Sequence, residues 1–142
     1  MFSKTFQYGL KASVLLALRP EGEYVKVREM SEQLHIPKSV LAKTLQVLGS
    51  AGVIDTLRGP SGGCRWNTAS DGLSLVDLAQ ILEGDFQFQG CLLGLTDCGP
   101  EDNCILPEFS PARLQSAMQA VSLRDVAEQC RGRSDYNQTK DS

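Results

Sequence analysis

Three cysteines occur within a short glycine- and acid-rich segment of this 142-residue chain. Cys91, Cys98 and Cys104 stand in the sequence Cys-Leu-Leu-Gly-Leu-Thr-Asp-Cys-Gly-Pro-Glu-Asp-Asn-Cys, separated by six and then five residues. Cysteine thiolates gathered on a loop are the usual ligands of iron–sulfur clusters, which accept wide and irregular ligand spacing. The segment therefore predicts an iron–sulfur cluster, of either the 2Fe-2S or the 4Fe-4S type.

Two other chemistries remain open for this segment. Structural zinc generally uses closely spaced pairs of cysteines, which this spacing fits poorly. A reversible disulfide between two of the cysteines would make a thiol switch, although the third cysteine would then have no role. The other two cysteines of the chain, Cys64 and Cys130, are predicted to be small buried or surface thiols rather than ligands.

Charge is distributed unevenly along the chain. Residues 1–69 carry nine Lys and Arg against five Asp and Glu, whereas residues 70–142 carry five against twelve. A basic front half favours nucleic-acid binding by that half, although chance clustering on solvated faces would give the same count. The five cysteines, together with the lack of a secretion signal or a long apolar run, predict a cytoplasmic protein with no membrane contact.

Apolar periodicity in the front half predicts three helices followed by a hairpin. The helices are expected at 5–18, 27–34 and 38–50, the third starting directly after a proline. Alternation at 53–57, the turn-forming run Arg58-Gly-Pro-Ser-Gly-Gly63 and a return strand at 64–67 predict the hairpin. Two short helices joined by a tight turn and followed by a glycine-tipped hairpin are typical of a winged helix-turn-helix.

The back half is predicted to be helical on both sides of the cysteine segment. Helices are expected at 73–82, from Pro111 onward, and at 123–129. Leu114, Ala117, Met118 and Val121 form an apolar stripe that favours a dimer interface, with packing on the same domain as the alternative. The predicted fold is mainly α with a small β-hairpin: a winged helix-turn-helix domain plus a long C-terminal dimerisation helix. The expected divisions are 1–84 (DNA binding), 85–108 (cysteine loop), 109–130 (dimerisation helix and a last short helix) and 131–142 (flexible tail).

Candidate DNA contacts lie on the third helix and at the hairpin tip. The third helix is expected to bury Val40, Leu41, Leu45 and Leu48. Short polar and basic side chains near its start would then face outward toward base edges and phosphates: these are Lys38, Ser39, Lys43 and Thr44. Arg58, followed by Gly59, is placed where an arginine can enter a narrow minor groove without bulky neighbours.

Catalysis is not expected from this sequence. Gly59-Pro-Ser-Gly-Gly63 matches the pattern of a hydrolase nucleophile elbow, but the one histidine of the chain lies upstream and an α/β-hydrolase sheet does not fit in this length. There is also no phosphate-binding loop with a Gly-Lys-Ser/Thr ending. The sequence therefore predicts a binding protein rather than an enzyme.

With these motifs in place, the chain resembles the IscR/NsrR-type family of bacterial winged-helix regulators. The likeness runs from Phe6-Gln-Tyr-Gly-Leu10 through Leu57-Arg-Gly-Pro-Ser-Gly-Gly63 to Ser122-Leu-Arg-Asp-Val126. It implies a homodimer that binds a palindromic operator in double-stranded DNA. It also implies that Arg58 is the wing arginine and that Cys91, Cys98 and Cys104 ligate the cluster.

The resemblance leaves the fourth ligand uncertain. IscR-like members place a histidine three residues after the last cysteine, where this chain has Pro107; NsrR-like members use an acidic residue of the first helix, where this chain has Gln7. Some relatives use a histidine of the helix-turn-helix, and His35 matches that place. Asp97, Glu101 and Asp102 are further candidates within the loop.

The function predicted from these residues is transcriptional regulation. Operator affinity would be controlled by a cluster that senses nitric oxide, redox state or iron–sulfur status, through the angle between the dimerisation helix and the helix-turn-helix. Two alternatives are a cluster-free regulator that senses oxidants through thiols and, in a different class, a small iron–sulfur carrier.

Overall fold

The structure is a computed structural model that describes residues 3–60, 62–84 and 111–136. Within these residues the chain forms helices and one two-stranded antiparallel sheet. The helices are α1 (Lys4–Leu18), α2 (Val27–Leu34), α3 (Lys38–Ser50), α4 (Leu75–Glu83), α5 (Pro111–Gln119) and α6 (Leu123–Cys130), and the strands are β1 (Ile54–Leu57) and β2 (Gly63–Trp66). Short 3-10 turns occupy Thr68–Ser70 and Ser134–Tyr136. No helix in these ranges is both long enough and apolar enough to cross a membrane.

Helix α1 lies at the centre of the domain, against α3, α4 and α6. It begins at Lys4 because the Ser3 hydroxyl accepts a hydrogen bond from Phe6 N at 3.1 Å and caps the first turn. A continuous run of its residues, 12–17, is buried, as expected for a helix covered on several sides. The core is completed by apolar side chains from every other element of the front half.

The turn between α2 and α3 has the short form that a helix-turn-helix requires. His35 ends α2 in the left-handed conformation, with φ 57° and ψ 45°. The Ser31 hydroxyl donates to Ile36 O at 2.6 Å, and Ile36 is buried. Pro37 then precedes α3, where its missing N–H costs no helical hydrogen bond. The predicted bounds of α2 and α3 are confirmed.

The wing is the hairpin of β1 and β2. Ile54 pairs with Trp66 and Leu57 with Gly63, so the turn that joins the strands begins at Arg58. Val25, just before α2, forms a bridge to Cys64 and attaches a third short segment to the hairpin. Helix-turn-helix and wing are therefore one connected unit, and the predicted winged-helix architecture is confirmed.

The helices of the back half are joined through their capped ends. Ser74 and Ser122 each form a capping box with an aspartate three residues later, Asp77 and Asp125. The same two serines face each other in an antiparallel bridge. As a result α4 and α6 start side by side, and Leu123 at the start of α6 is buried in the core.

The back half differs from the prediction at the dimerisation helix. Helix α5 spans nine residues and packs against α4, so a long dimerisation helix is not seen in the described residues. In the region predicted to be a flexible tail, Ser134–Tyr136 form a 3-10 turn against α2, where Gln33 Nε2 donates to Asp135 O at 3.1 Å. Half-buried Tyr136 packs against the core there.

Candidate nucleic-acid interface

An open groove runs between the start of α2, the exposed side of α3 and the wing. Its volume is about 520 Å³. The described residues that line it include four cations and no carboxylate: Lys26, Arg28, Lys38 and Arg58. Ala42, Gln46 and the wing glycines supply a floor of small and polar groups. A concave, positively charged surface of this kind attracts a phosphate backbone.

The outer face of α3 carries three of the four polar residues predicted for it. Lys38, Ser39 and Lys43 are exposed. Lys38 lies at the first turn, beside the groove. Short polar and basic groups are thus presented where base edges and phosphates would be reached.

The outward orientation predicted for Thr44 is wrong. Thr44 is 4% exposed, and its hydroxyl donates to Val40 O at 3.1 Å. Val40, expected in the core, is 40% exposed. The buried stripe of α3 is therefore Leu41, Thr44, Leu45 and Leu48, and the threonine can join it because its hydroxyl is satisfied by the preceding turn. Thr44 is not available to DNA in this arrangement.

The wing tip presents Arg58 and Gly59 to solvent, as predicted. Gly59 has φ +104°, and Gly62 N donates to Gly59 O at 2.9 Å to close the turn. A Cβ at Gly62 would lie 2.0 Å from Leu57 O, so this turn cannot tighten around a larger residue. The glycines make the tip narrow and leave Arg58 as its prominent side chain.

Lys26 and Arg28 were not found from the sequence. Both sit at the start of α2, outside the third helix and the hairpin tip, where the sequence placed the DNA contacts. They join the groove because the bridge between Val25 and Cys64 brings the start of α2 beside the wing. The basic count over residues 1–69 was the one available signal, and it assigned no position.

The described residues include two of the five cysteines, Cys64 and Cys130, and these two differ in burial. Cys64 is buried in the wing, and burial raises the pKa of its thiol above the ordinary value. Cys130 is half-buried at the end of α6. Both agree with the expected packing role. Cys91, Cys98 and Cys104 lie outside the described residues, as do Asp97, Glu101, Asp102 and Pro107.

Metal-ligand candidates do not cluster in the described part of the chain. Within those residues there is no group of three or more His, Cys, Asp and Glu side chains placed to hold a metal ion. His35 and Gln7 are both exposed. The ring of His35 makes no hydrogen bond or ion pair with another described residue. The turn between α2 and α3 therefore depends on the backbone of His35, and the imidazole is free to act as a metal ligand.

Comparison with known proteins decides the family. Residues 2–129 match the profile of Rrf2, described as an iron-dependent transcriptional regulator. The chain belongs to the Rrf2 family. It is accordingly a transcriptional regulator and not an enzyme. Among Rrf2 relatives, the HTH-type transcriptional regulator NsrR of Bacillus licheniformis is 28% identical over 99 residues, which cover 70% of this chain and 66% of that regulator.

Solved Rrf2-type structures share the fold. CymR, the global cysteine regulator of B. subtilis, superposes with a TM-score of 0.74 at 19% identity, covering 91% of this chain and 97% of CymR. IscR of T. potens superposes with a TM-score of 0.68 at 19% identity, covering 92% and 88%. At these identities the likeness concerns the fold alone.

Proposed function

We propose that this Rrf2 protein acts as a homodimer that binds a palindromic operator through the groove between α2, α3 and the wing. The observation that carries the proposal is the set of four cations, free of lining carboxylates, around that groove. In each protomer the exposed face of α3 would enter the major groove of DNA. Arg58 would reach the adjacent minor groove from the wing tip.

Each candidate contact has a distinct role. Lys38 and Lys43 supply charge to phosphates beside the recognition helix, and Ser39 is short enough to approach a base edge. Arg58 reads groove width, because a narrow minor groove concentrates negative potential. Two protomers bound to two half-sites would double these contacts and require a set spacing between the two α3 helices.

The DNA-binding proposal is tested by selection followed by titration. Protein is used to enrich duplexes from a random-sequence library, and affinity for the enriched sequence is measured at several salt concentrations. An inverted repeat should emerge, bound by two protomers with an affinity that falls steeply with salt. Enrichment of no sequence, or binding that ignores salt, would contradict the proposal.

We further propose that Cys91, Cys98 and Cys104 hold an iron–sulfur cluster that controls operator affinity. The donor set supports this, as do the iron-dependent description of the family and the similarity to NsrR. When bound, such a cluster supplies thiolate-ligated iron that reacts with oxidants or nitric oxide. The three residues would anchor the segment that joins α4 to α5, and helix α5 itself packs on α4. His35 is the candidate fourth ligand in the described residues.

A cluster-free thiol sensor is the second candidate, because two of the three cysteines on this segment could form a reversible disulfide. Anaerobic purification, iron and sulfide assays, and an absorption spectrum before and after nitric oxide separate the two. A coloured, iron-containing protein that bleaches supports the cluster. Colourless protein, even after anaerobic reconstitution, with DNA affinity that responds to peroxide and dithiothreitol supports the thiol sensor. Replacing any one of the three cysteines with alanine should abolish the cluster response, whereas the thiol response should be lost only when one of the two paired cysteines is replaced; Cys130→Ala is the matched control for both.

A further inference from the structure

We propose that Lys26 is a positioning residue that holds the wing tip against the start of α2 and thereby presents Arg58 to DNA. The inference rests on the DNA-binding function proposed above. Lys26 is the residue that precedes the first turn of α2, and its side chain does not cap the helix. Its ammonium instead donates a hydrogen bond to Pro60 O, at the wing tip, 34 residues further along the chain.

The backbone beside Lys26 is fixed to the base of the wing. Val25 N donates to Cys64 O at 2.7 Å, and Cys64 N donates to Val25 O at 2.8 Å. Both residues are buried. The Cα of Lys26 therefore keeps a set position relative to β2, and only its long side chain spans the distance from there to the tip.

At the base of the wing, the backbone of Val25 lies so close to Gly63 that no residue larger than glycine fits at position 63. A Cβ at Gly63 would lie 2.4 Å from Val25 O, and Gly63 has φ +148°. This close approach sets the angle at which the hairpin leaves the domain. Beyond it, the tip turns on Gly59 and Gly62, residues that restrict the backbone little.

The Lys26 hydrogen bond is the tie that limits this freedom. Among the described residues, no other side-chain hydrogen bond joins residues 58–60 to a different element. Arg58 lies two residues before Pro60, whose carbonyl accepts the hydrogen bond from Lys26. Holding that carbonyl in place reduces the number of tip conformations that must be lost when Arg58 enters a groove, and such preorganisation increases affinity.

Lys26 can therefore act in a different way from Lys38. A direct phosphate contact contributes its own charge to binding, whereas a positioning residue acts through Arg58. The two roles give different results in free protein and in a double-mutant cycle.

Amide hydrogen exchange in protein without DNA is the first test. Lys26→Met keeps the aliphatic stem and removes the donor, so exchange at the Gly62 amide, which bonds to Gly59 O, should accelerate by about 3- to 10-fold. Lys26→Arg should restore much of the protection, and Lys4→Met, on α1, should leave Gly62 unchanged. Unchanged exchange in Lys26→Met would overturn the proposal. Because no DNA is present, this result is independent of the proposed function.

Operator binding by the double-mutant cycle is the second test. Lys26→Met should weaken binding by about 5-fold in the wild-type background and by less than about 2-fold in the Arg58→Ala background. Equal losses in both backgrounds, each with a salt slope reduced by about 1.8 for the two protomers, would make Lys26 a direct phosphate contact and overturn the positioning role. A wild-type protein that binds no DNA would reject the proposed function and leave the exchange result to decide whether Lys26 holds the tip.

Discussion

The carboxylate of Asp71 joins the end of the wing to the last helix through Arg124. Asp71 Oδ1 accepts hydrogen bonds from Arg124 Nη2 at 3.1 Å and Nε at 3.2 Å, and from Trp66 Nε1 at 2.6 Å. Arg124 Nη1 also donates to Ala17 O at 3.0 Å, at the end of α1. One side-chain pair thus connects β2, α6 and the central helix, although 53 residues separate its members.

Removing this carboxylate should lower stability. In Asp71→Ala the indole N–H of the buried Trp66 loses its acceptor, and Arg124 loses one of its two carboxylate partners and keeps Glu128. We expect the free energy of unfolding to fall by about 1–2 kcal/mol, most of it from the indole, because the ion pair is partly exposed and screened. Urea denaturation followed by Trp66 fluorescence measures the change. Glu32→Ala, which breaks the exposed pair with Arg28, is the matched control and should stay within about 0.5 kcal/mol. Equal losses in the two variants would mean that Asp71 has no special connecting role.

Gly63 should tolerate alanine poorly. The added Cβ would meet Val25 O at 2.4 Å in a backbone region that favours glycine. We expect a loss of about 3 kcal/mol in unfolding free energy and a clear loss of DNA affinity, because the wing must move. Gly22→Ala is the control: Gly22 has φ +87° but nothing lies within 4 Å of the new atom, so only the backbone cost of about 1 kcal/mol applies. Thermal or urea unfolding measures the free energy of unfolding of both variants. Similar losses in Gly63→Ala and Gly22→Ala would show that the close approach of Val25 O does not determine the cost at Gly63.

Thr44→Val and Lys43→Met should separate folding from DNA contact on α3. Valine keeps the buried shape of Thr44 and removes only the bond to Val40 O, so stability should change by less than about 1 kcal/mol and operator affinity by less than about 2-fold. Lys43→Met should leave stability unchanged, weaken operator binding and reduce the salt slope by about 1.8, because one phosphate contact is lost from each of the two protomers. Fluorescence anisotropy titrations at three salt concentrations give both quantities. A larger loss of affinity in Thr44→Val than in Lys43→Met would restore Thr44 as a DNA contact.

Cys64 should make stability fall in alkaline solution. Burial raises the pKa of this thiol, so the folded protein favours the neutral form. A group whose folded pKa lies above its unfolded value contributes stability that is complete below the unfolded pKa and is lost as pH rises through the folded one. The free energy of unfolding should therefore decline above about pH 9.

The Cys64→Ala variant tests this assignment, since it lacks the titrating group. Urea titrations should give this variant a lower unfolding free energy than wild type at pH 7. Its unfolding free energy should also decline less than that of wild type between about pH 8 and pH 10, the interval that contains the expected start of the decline. The pKa of Tyr136 is also raised, mainly by burial, so the ionisation of this phenol should lower the free energy of unfolding further at higher pH. A Tyr136→Phe variant separates that contribution. An alkaline decline that is identical in Cys64→Ala and wild type would exclude Cys64 as its source.

The elements of the front half followed from local sequence features. Helix α3 begins at Lys38 because Pro37 precedes it, and the hairpin forms where alternating strands flank a run of turn formers. These signals act over a few residues, so they can be read without knowing the fold. The exposed positions of Lys38 and Ser39 follow from the helical periodicity of α3, and that of Arg58 follows from its place in the hairpin turn.

Two features of the site depended on long-range packing. Helical periodicity predicted that Val40 would be buried and Thr44 exposed, whereas the packing of α1 and α4 against α3 buries Thr44 and leaves Val40 exposed. Lys26 lies in the groove because the backbone of its neighbour Val25 is paired with β2 and because its own side chain bonds to Pro60.

The sequence by itself determined the helix-turn-helix, the glycine-tipped wing and the three thiols available for a cluster, because each depends on neighbouring residues. Only the tertiary structure decided which face of α3 is buried and which cations share the groove. It also decided how Asp71 and Arg124 join the wing to the last helix, because these contacts link residues from 34 to 53 positions apart. Local propensity carries no information about such distances, and packing around α1 supplies it.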